Sequence, residues 1–195
     1  MHAREEMVKE EIKTAARKLF QAHGISKTTM EDIATAMGKA RKYAYYYFKN
    51  KEHIFCAVAE DELHRIFDHT EILMAKKESI SDKLEVFFRA YHLEANKTIA
   101  LYPLLVSDLL HFLPTIKAYT EKANERFIER LEKLYRQGIA TGEFKSMKSY
   151  DCRMMALASM RLLRGMDVRI MLGAPLPVEE DSGNVLMRTF IRGLR

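Results

Sequence analysis

Apolar residues recur along this chain at intervals of three and four and nowhere in sustained alternation, so the pattern predicts helices throughout and no strands. Val8, Ile12, Ala15, Ala16, Leu19 and Phe20 mark a first helix, closed by His23-Gly24. Met30, Ile33, Ala34 and Met37 mark a second, short helix opening at Thr28 and Thr29. Thr28 and Glu31 have the spacing at which a hydroxyl and a carboxylate each accept a backbone N–H at a helix start. Gly38 suits the helix end, because a residue without Cβ takes positive φ at no steric cost. In a third helix Ala40, Ala44, Tyr47 and Phe48 share the arc that can pack on the second, whereas Lys42, Tyr43, Tyr45 and Tyr46 face away and Arg41 lies on the border. Two short helices joined by such a turn predict a helix-turn-helix.

The periodicity continues. A fourth helix runs from Lys51 toward Lys76, and Ile80, Leu84, Phe87, Phe88 and Tyr91 form the stripe of a fifth. Pro103 and Pro114 predict starts or kinks of later helices, the next long one running from Thr115 to a stop at Gly138 to Gly142. An eighth, about 150–172, carries Cys152, Met155, Ala156, Ser159, Leu162, Leu163 and Met166 on a broad apolar face; after a Gly/Pro linker at 173–177 a ninth carries Leu186, Met187, Phe190 and Ile191. The expectation is an all-α chain of about nine helices, with a three-helix domain at 1–53 and a second helical domain at 54–195.

Charge sharpens the picture at one end only. Residues 1–53 hold eleven Lys or Arg against seven acids, which accounts for +4 of the net +5, and Lys39 to Lys51 contains five cations and no acid. Arg and Lys pair with guanine edges or phosphates and tyrosine hydroxyls donate to phosphate oxygens, so double-stranded DNA is the expected partner.

The run TTMEDIATAMG followed by YYYFKNKEHIF resembles the DNA-binding domain of the TetR family of transcriptional regulators, over about Val8 to Phe55. Three positions depart from the family pattern: Ala40 stands where a capping Ser is usual, Ala44 where Leu is, and Tyr43 where a smaller residue is common. At matching positions the resemblance implies base-edge contacts from Lys39, Arg41, Lys42 and Tyr43, and phosphate contacts from Thr28, Thr29, Tyr45, Tyr46 and Lys51. It also implies a homodimer acting on a palindromic operator, most simply as a repressor released by a small effector. The alternative is an activator or a ligand-independent DNA-binding protein of the same fold. Cys152, Ala156, Ser159, Leu163, Leu186 and Phe190 on the last two helices are the candidate dimer interface, their small members permitting close approach. Phe88, Tyr91, Tyr102, Leu105, Phe112 and Met155 are candidate walls of a pocket for an apolar or aromatic effector, with His92 and His111 to fix a polar group.

Other chemistry finds little support. The chain has no Gly-rich phosphate loop, G-x-S-x-G, H-E-x-x-H or C-x-x-C, so neither an enzyme nor a cofactor is expected. Glu60, His64 and Asp68 lie one helical turn apart, a spacing that suits a salt-bridged face better than a metal site. Cys56 and Cys152 are far apart and read as reduced thiols. A polar N-terminus and the lack of a long apolar run lead to the expectation of a cytoplasmic protein without a membrane partner.

Overall fold

The computed structural model describes residues 2–102, 105–145, 147–171 and 188–194, with backbone alone at 2, 105–120, 150 and 166–171. The described residues are helical and contain no strand, as the periodicity predicts. The helices are α1 (His2–His23), α2 (Met30–Ala36), α3 (Arg41–Tyr47), α4 (Lys51–Met74), α5 (Ile80–Ala100), α6 (Leu105–Ala140) and α7 (Cys152–Met171). A 3-10 turn at Ser149–Asp151 leads into α7, and residues 188–192 are helical.

Pro114 does not begin a helix. It lies inside α6, which is one element where the sequence suggested a break. An interior proline removes one backbone hydrogen bond and costs about 3 kcal/mol. The strong helix formers that follow it, from Lys117 to Lys133, carry the helix past that loss. The expected linker at 173–177 lies outside the described residues.

The chain divides into two compact units, residues 1–62 with 98–121, and residues 63–97 with 122–195. In the first, Ile12, Ala16 and Phe20 of α1 bury one face with Ile33 and Ala34 of α2, Ala44 of α3, and Ile54, Phe55 and Val58 of α4. The Phe20 and Phe55 rings meet edge to face with centroids 5.7 Å apart. Ion pairs join α1 to α4 at the rim: Lys13 reaches Asp61 at 2.7 Å and Arg17 reaches Glu62 at 3.2 Å.

In the second unit Phe127 is the hub, with the rings of Phe67, Phe87 and Tyr91 packed nearly perpendicular to it at 5.1, 6.1 and 5.3 Å. Such edge-to-face contacts add about 0.5–1.5 kcal/mol per pair beyond area burial. Three buried or partly buried polar groups here are paired within the fold. Ser159 Oγ donates to the Met155 carbonyl at 2.7 Å and therefore accepts from the Tyr135 hydroxyl, also at 2.7 Å. Glu143 closes the start of α5, accepting from the backbone N–H of Ile80 and Ser81 at 3.0 Å each. Its charge suits the positive end of a helix dipole. Glu94, buried on α5, accepts from Arg65 and Lys97 at 2.8 Å each, and these two donors hold its carboxyl below the usual range.

Gly138 is required by a close approach near the end of α6. A Cβ at this position would lie 2.1 Å from the Phe144 ring, which folds back over the helix and is itself fully buried. The Phe144 N–H donates to the Gly138 carbonyl at 3.0 Å and fixes that return. Gly138→Ala should therefore destabilise the fold by about 1–3 kcal/mol, the usual cost of overpacking. A melting temperature at or above that of the unaltered chain would show that Phe144 can yield.

Candidate nucleic-acid interface

The helix-turn-helix head rests on three corners, each of which disposes of helix-end backbone groups in a different way. At the first, Gly24 takes φ +79° and ends α1, while the Thr28 hydroxyl turns inward to donate to the Gly24 carbonyl at 2.7 Å. The helix cap therefore sits one residue later than the sequence suggested. Thr29 is the N-cap of α2: its Oγ1 accepts from the Asp32 N–H at 3.1 Å, and Asp32 accepts from the Thr29 N–H at 2.9 Å. The Thr29 hydroxyl, which donates to Asp32 Oδ2 at 2.7 Å, and the Thr29 N–H together hold the Asp32 carboxyl below the ordinary carboxylate range. Adjacent Thr28-Thr29 and Glu31-Asp32 offer two registers of the same pattern, and burial of Thr28 selects the second.

At the second corner Gly38 has φ +65°, its N–H donates to Thr35, and the Lys39 N–H donates to Ala34, each at 2.9 Å. This pairing satisfies the last carbonyls of α2 and sets the steep entry into α3. At the third, the Asn50 side chain accepts from the His53 N–H at 2.9 Å and caps α4, a role the sequence reading passed over. The signal was present, since Asn two residues after an aromatic helix end is a strong N-cap candidate.

Of α3, only Ala44 is fully buried, while Tyr43, Tyr47 and Phe48 are half-buried and Lys42, Tyr45 and Tyr46 are exposed. Ala40 belongs to the exposed set and not to the packed arc, because it precedes the helix as its N-cap. No side chain caps α3. Tyr46 stands 83% exposed, and its ring meets Tyr47 edge-on at 5.0 Å. The cations are draped on the aromatic ridge, with Lys39 Nζ 5.5 Å from the Tyr43 ring and the Arg41 guanidinium 5.9 Å from the Tyr45 ring. Arg41 also approaches Glu31 of α2 at 3.7 Å. Lys39, Arg41, Lys42, Tyr45, Tyr46 and Thr29 thus lie exposed on the head, whereas Thr28 is withdrawn.

Residues 12–58 match the bacterial regulatory proteins of the tetR family. That stretch is the family's N-terminal helix-turn-helix domain. The chain is 29% identical to the helix-turn-helix-type transcriptional regulator YfiR of Bacillus subtilis (strain 168), the match spanning 71% of the chain and 68% of YfiR. Its fold is similar to that of a TetR-family transcriptional regulator from Syntrophomonas wolfei, with TM-score 0.73 at 16% identity over 97% of this chain and 95% of that one. It is also similar to the fatty acid degradation regulator FadR from Bacillus halodurans, with TM-score 0.63 at 17% identity over 95% and 93% of the two chains. The chain is accordingly a DNA-binding transcriptional regulator.

The residues expected at the dimer and effector sites fall differently. Cys152, Ala156, Ser159 and Leu163 are buried in the core of the second unit and present no exposed face. On α7 the stripe Met154, Ala158, Leu162 and Gly165 reaches the surface, flanked by the exposed Arg161 and Arg164. Leu162, which the sequence placed on the apolar face with Cys152 and Ala156, turns outward instead. Phe190 is half-buried against Phe88 at 6.4 Å, and Leu186 lies outside the described residues. Phe88 and Tyr91 belong to the packed aromatic core, and Met155 lies partly buried against it. Tyr102 is buried in the first unit with its hydroxyl unpartnered. The side chains of Leu105, His111 and Phe112 lie outside the described residues. Among the described residues no group of three His, Cys, Asp or Glu is placed to hold a metal, and no helix is long and apolar enough to cross a membrane. Cys56 and Cys152 are both free and buried, and burial pushes the Cys56 thiol up to about 11.

The missing cap on α3 is a local defect with a measurable consequence. The Tyr43 N–H already donates to the Ala40 carbonyl at 2.8 Å, so Ala40→Ser should supply an acceptor for the Lys42 N–H and stabilise the head by about 1 kcal/mol. Hydrogen exchange at the Lys42 amide should slow; unchanged exchange would mean that the extended backbone at Ala40 does not hold the new hydroxyl over the helix.

Proposed function

We propose that this TetR-family regulator is a homodimeric repressor that binds a palindromic operator through α3 and releases it when an apolar effector occupies the second unit. The exposed ridge of α3 carries the reading. It combines cations, hydroxyls and flat aromatic surface on a helix whose opposite side is held by Ala44, and no acid interrupts it. Lys39, Arg41, Lys42 and Tyr43 are assigned to base edges and Thr29, Tyr45 and Tyr46 to phosphates. A second copy is assigned to the exposed α7 stripe Met154, Ala158, Leu162 and Gly165, where two small residues allow close helix approach. Two-fold symmetry then sets the paired recognition helices about 34–36 Å apart, one turn of DNA.

Support for an effector comes from two buried polar atoms. His92 and Asn96 follow Phe88 at four-residue intervals on α5, and Asn96 Nδ2 lies 3.0 Å from His92 Nε2. With the amide donating, His92 Nδ1 carries the ring proton; this donor and the acceptor Asn96 Oδ1 are buried without partners. Burial also lowers the His92 pKa, which keeps the ring neutral. Unpaired buried polar atoms cost about 1–3 kcal/mol each, a cost that a ligand with a matching acceptor and donor would remove. The fatty acid degradation regulator of Bacillus halodurans shares this fold, so fatty acids are the first probes to try.

Selection from a random duplex library by the intact chain should enrich an inverted repeat. Lys42→Ala should relax preference at one base pair of each half-site, at about 1–3 kcal/mol. In sedimentation the chain should run at twice its 22.7 kDa, and Leu162→Glu should yield monomers that bind the repeat poorly. An unchanged dimer would remove α7 from the interface. Fatty acids that bind should raise the melting temperature and weaken operator affinity, each tenfold corresponding to about 1.4 kcal/mol of coupling. Binders that leave operator affinity untouched would end the release mechanism.

A further inference from the structure

Lys51 is the first residue of α4, where a cation faces the positive end of the helix dipole and is electrostatically misplaced. The structure shows what offsets this. Lys51 Nζ lies 2.8 Å from the carbonyl oxygen of Ile25, 2.9 Å from that of Ser26 and 2.9 Å from that of Thr28. An ammonium has three N–H donors, and here all three are directed to carbonyls of the turn between α1 and α2. Charge-assisted bonds of this kind are about twice as strong as neutral ones. The carbonyls lie 23 to 26 residues earlier in the chain, so the tripod is a tertiary tie between the α1–α2 corner and the first turn of α4. Lys49, two residues away, is exposed.

We infer that Lys51 is a positioning residue for DNA recognition, which clasps the start of α4 to the start of α2 and does not contact phosphate. The corner it grips runs directly into the Thr29 cap and α2, and α2 packs on α3. Loss of the ammonium would leave three carbonyls to be satisfied by water and would free the first turn of α2. The recognition helix would then be presented with a spread of orientations. Specific binding, which needs several base edges met at once, suffers from such a spread, whereas non-specific binding to a phosphate lattice tolerates it. A phosphate-contacting lysine would behave in the opposite way: its loss weakens every sequence alike and makes the salt slope shallower by about 0.9.

The inference rests on the DNA-binding reading, and the experiment separates the two. Full-length chain, Lys51→Met and Lys49→Ala are compared on the duplex enriched by the unaltered chain and on a random duplex, at several salt concentrations and well below each melting temperature. Amide exchange is followed over residues 24–33 and over 8–20. Lys51→Met should speed exchange over 24–33 while 8–20 stays protected, and should weaken the enriched duplex by about tenfold. The random duplex should move by less than about twofold, and the salt slope should stay parallel to that of the unaltered chain. Should Lys51→Met not fold, Lys51→Gln, which keeps two N–H donors, carries the same pattern at smaller amplitude. Equal losses on both duplexes with a shallower slope would make Lys51 a phosphate contact. Faster exchange with unchanged specificity would reduce the clasp to a stability device, and unchanged exchange would remove it; each overturns the proposal. If the unaltered chain enriches no sequence, the DNA-binding reading falls first and takes this one with it.

Discussion

A peptide N–H or C=O withdrawn from water must be paired, and the head of this chain is built from helices too short to meet that demand internally. A helix leaves four N–H groups and four carbonyls unpaired at its ends, and α2 and α3 have seven residues each. Their backbone is nearly all terminus. The burden therefore falls on the corners, where Thr28, Thr29, Asp32, Gly38, Asn50 and Lys51 each satisfy specific groups. Ala40 is the exception, and it lies at the N-terminus of the helix that the proposed function sends into DNA. An N–H left open there is satisfied by water in the free protein.

The charge balance of the head follows from the same demand. Its excess of cations overstates what can face DNA, because some of them are spent on structure. Lys51 is committed to carbonyls, Lys13 to Asp61 and Glu10, and Arg17 to Glu62. Those that remain exposed around α3 are Lys39, Arg41, Lys42 and Lys49. Two of these lean on tyrosine rings, an arrangement worth about 0.5–1 kcal/mol at exposed sites and one that restricts where the charge can go. A ridge with its cations already oriented loses less rotamer freedom on binding than one with free lysines.

The all-helical fold and the helix-turn-helix were legible in the sequence because both depend on periodicity and on the conformational freedom of Gly38. What the sequence left open were choices between neighbours of the same chemistry. Thr28 and Thr29 both suit a cap, and only tertiary burial of Ile25 and Thr28 decides between them. Lys51 in a basic run looks like part of a DNA-facing surface, yet its partners lie more than twenty residues away and no local pattern announces them. The two stripes of α7 illustrate a related ambiguity. Cys152, Ala156, Ser159 and Leu163 differ little in composition from Met154, Ala158, Leu162 and Gly165, and the hydroxyl of Tyr135, by seeking Ser159, helps determine which set turns inward. Pro114 misled for a different reason: its local penalty is real but smaller than the helix-forming tendency of the residues that follow it.

The longest consequence concerns α4, which contributes its first twelve residues to one compact unit and its last twelve to the other. Its start is held by the Lys51 tripod and the Asn50 cap. Farther along, Arg65 pairs with Glu94, Asp68 with Arg126 and Glu71 with Arg130. The later ties are unequal, since Arg65 reaches the buried Glu94 at 2.8 Å. The Asp68–Arg126 pair is 3.7 Å long and exposed, and pairs of that sort contribute at most about 1 kcal/mol. The tripod engages every donor of its ammonium in a partly buried corner, so breaking it strands three carbonyls at once. On the proposed mechanism, the clasp keeps the first turn of α4 and the α1–α2 corner moving as one body. The first turn of α4 thereby bears on α2 and, through it, on the helix that the proposed function sends into DNA.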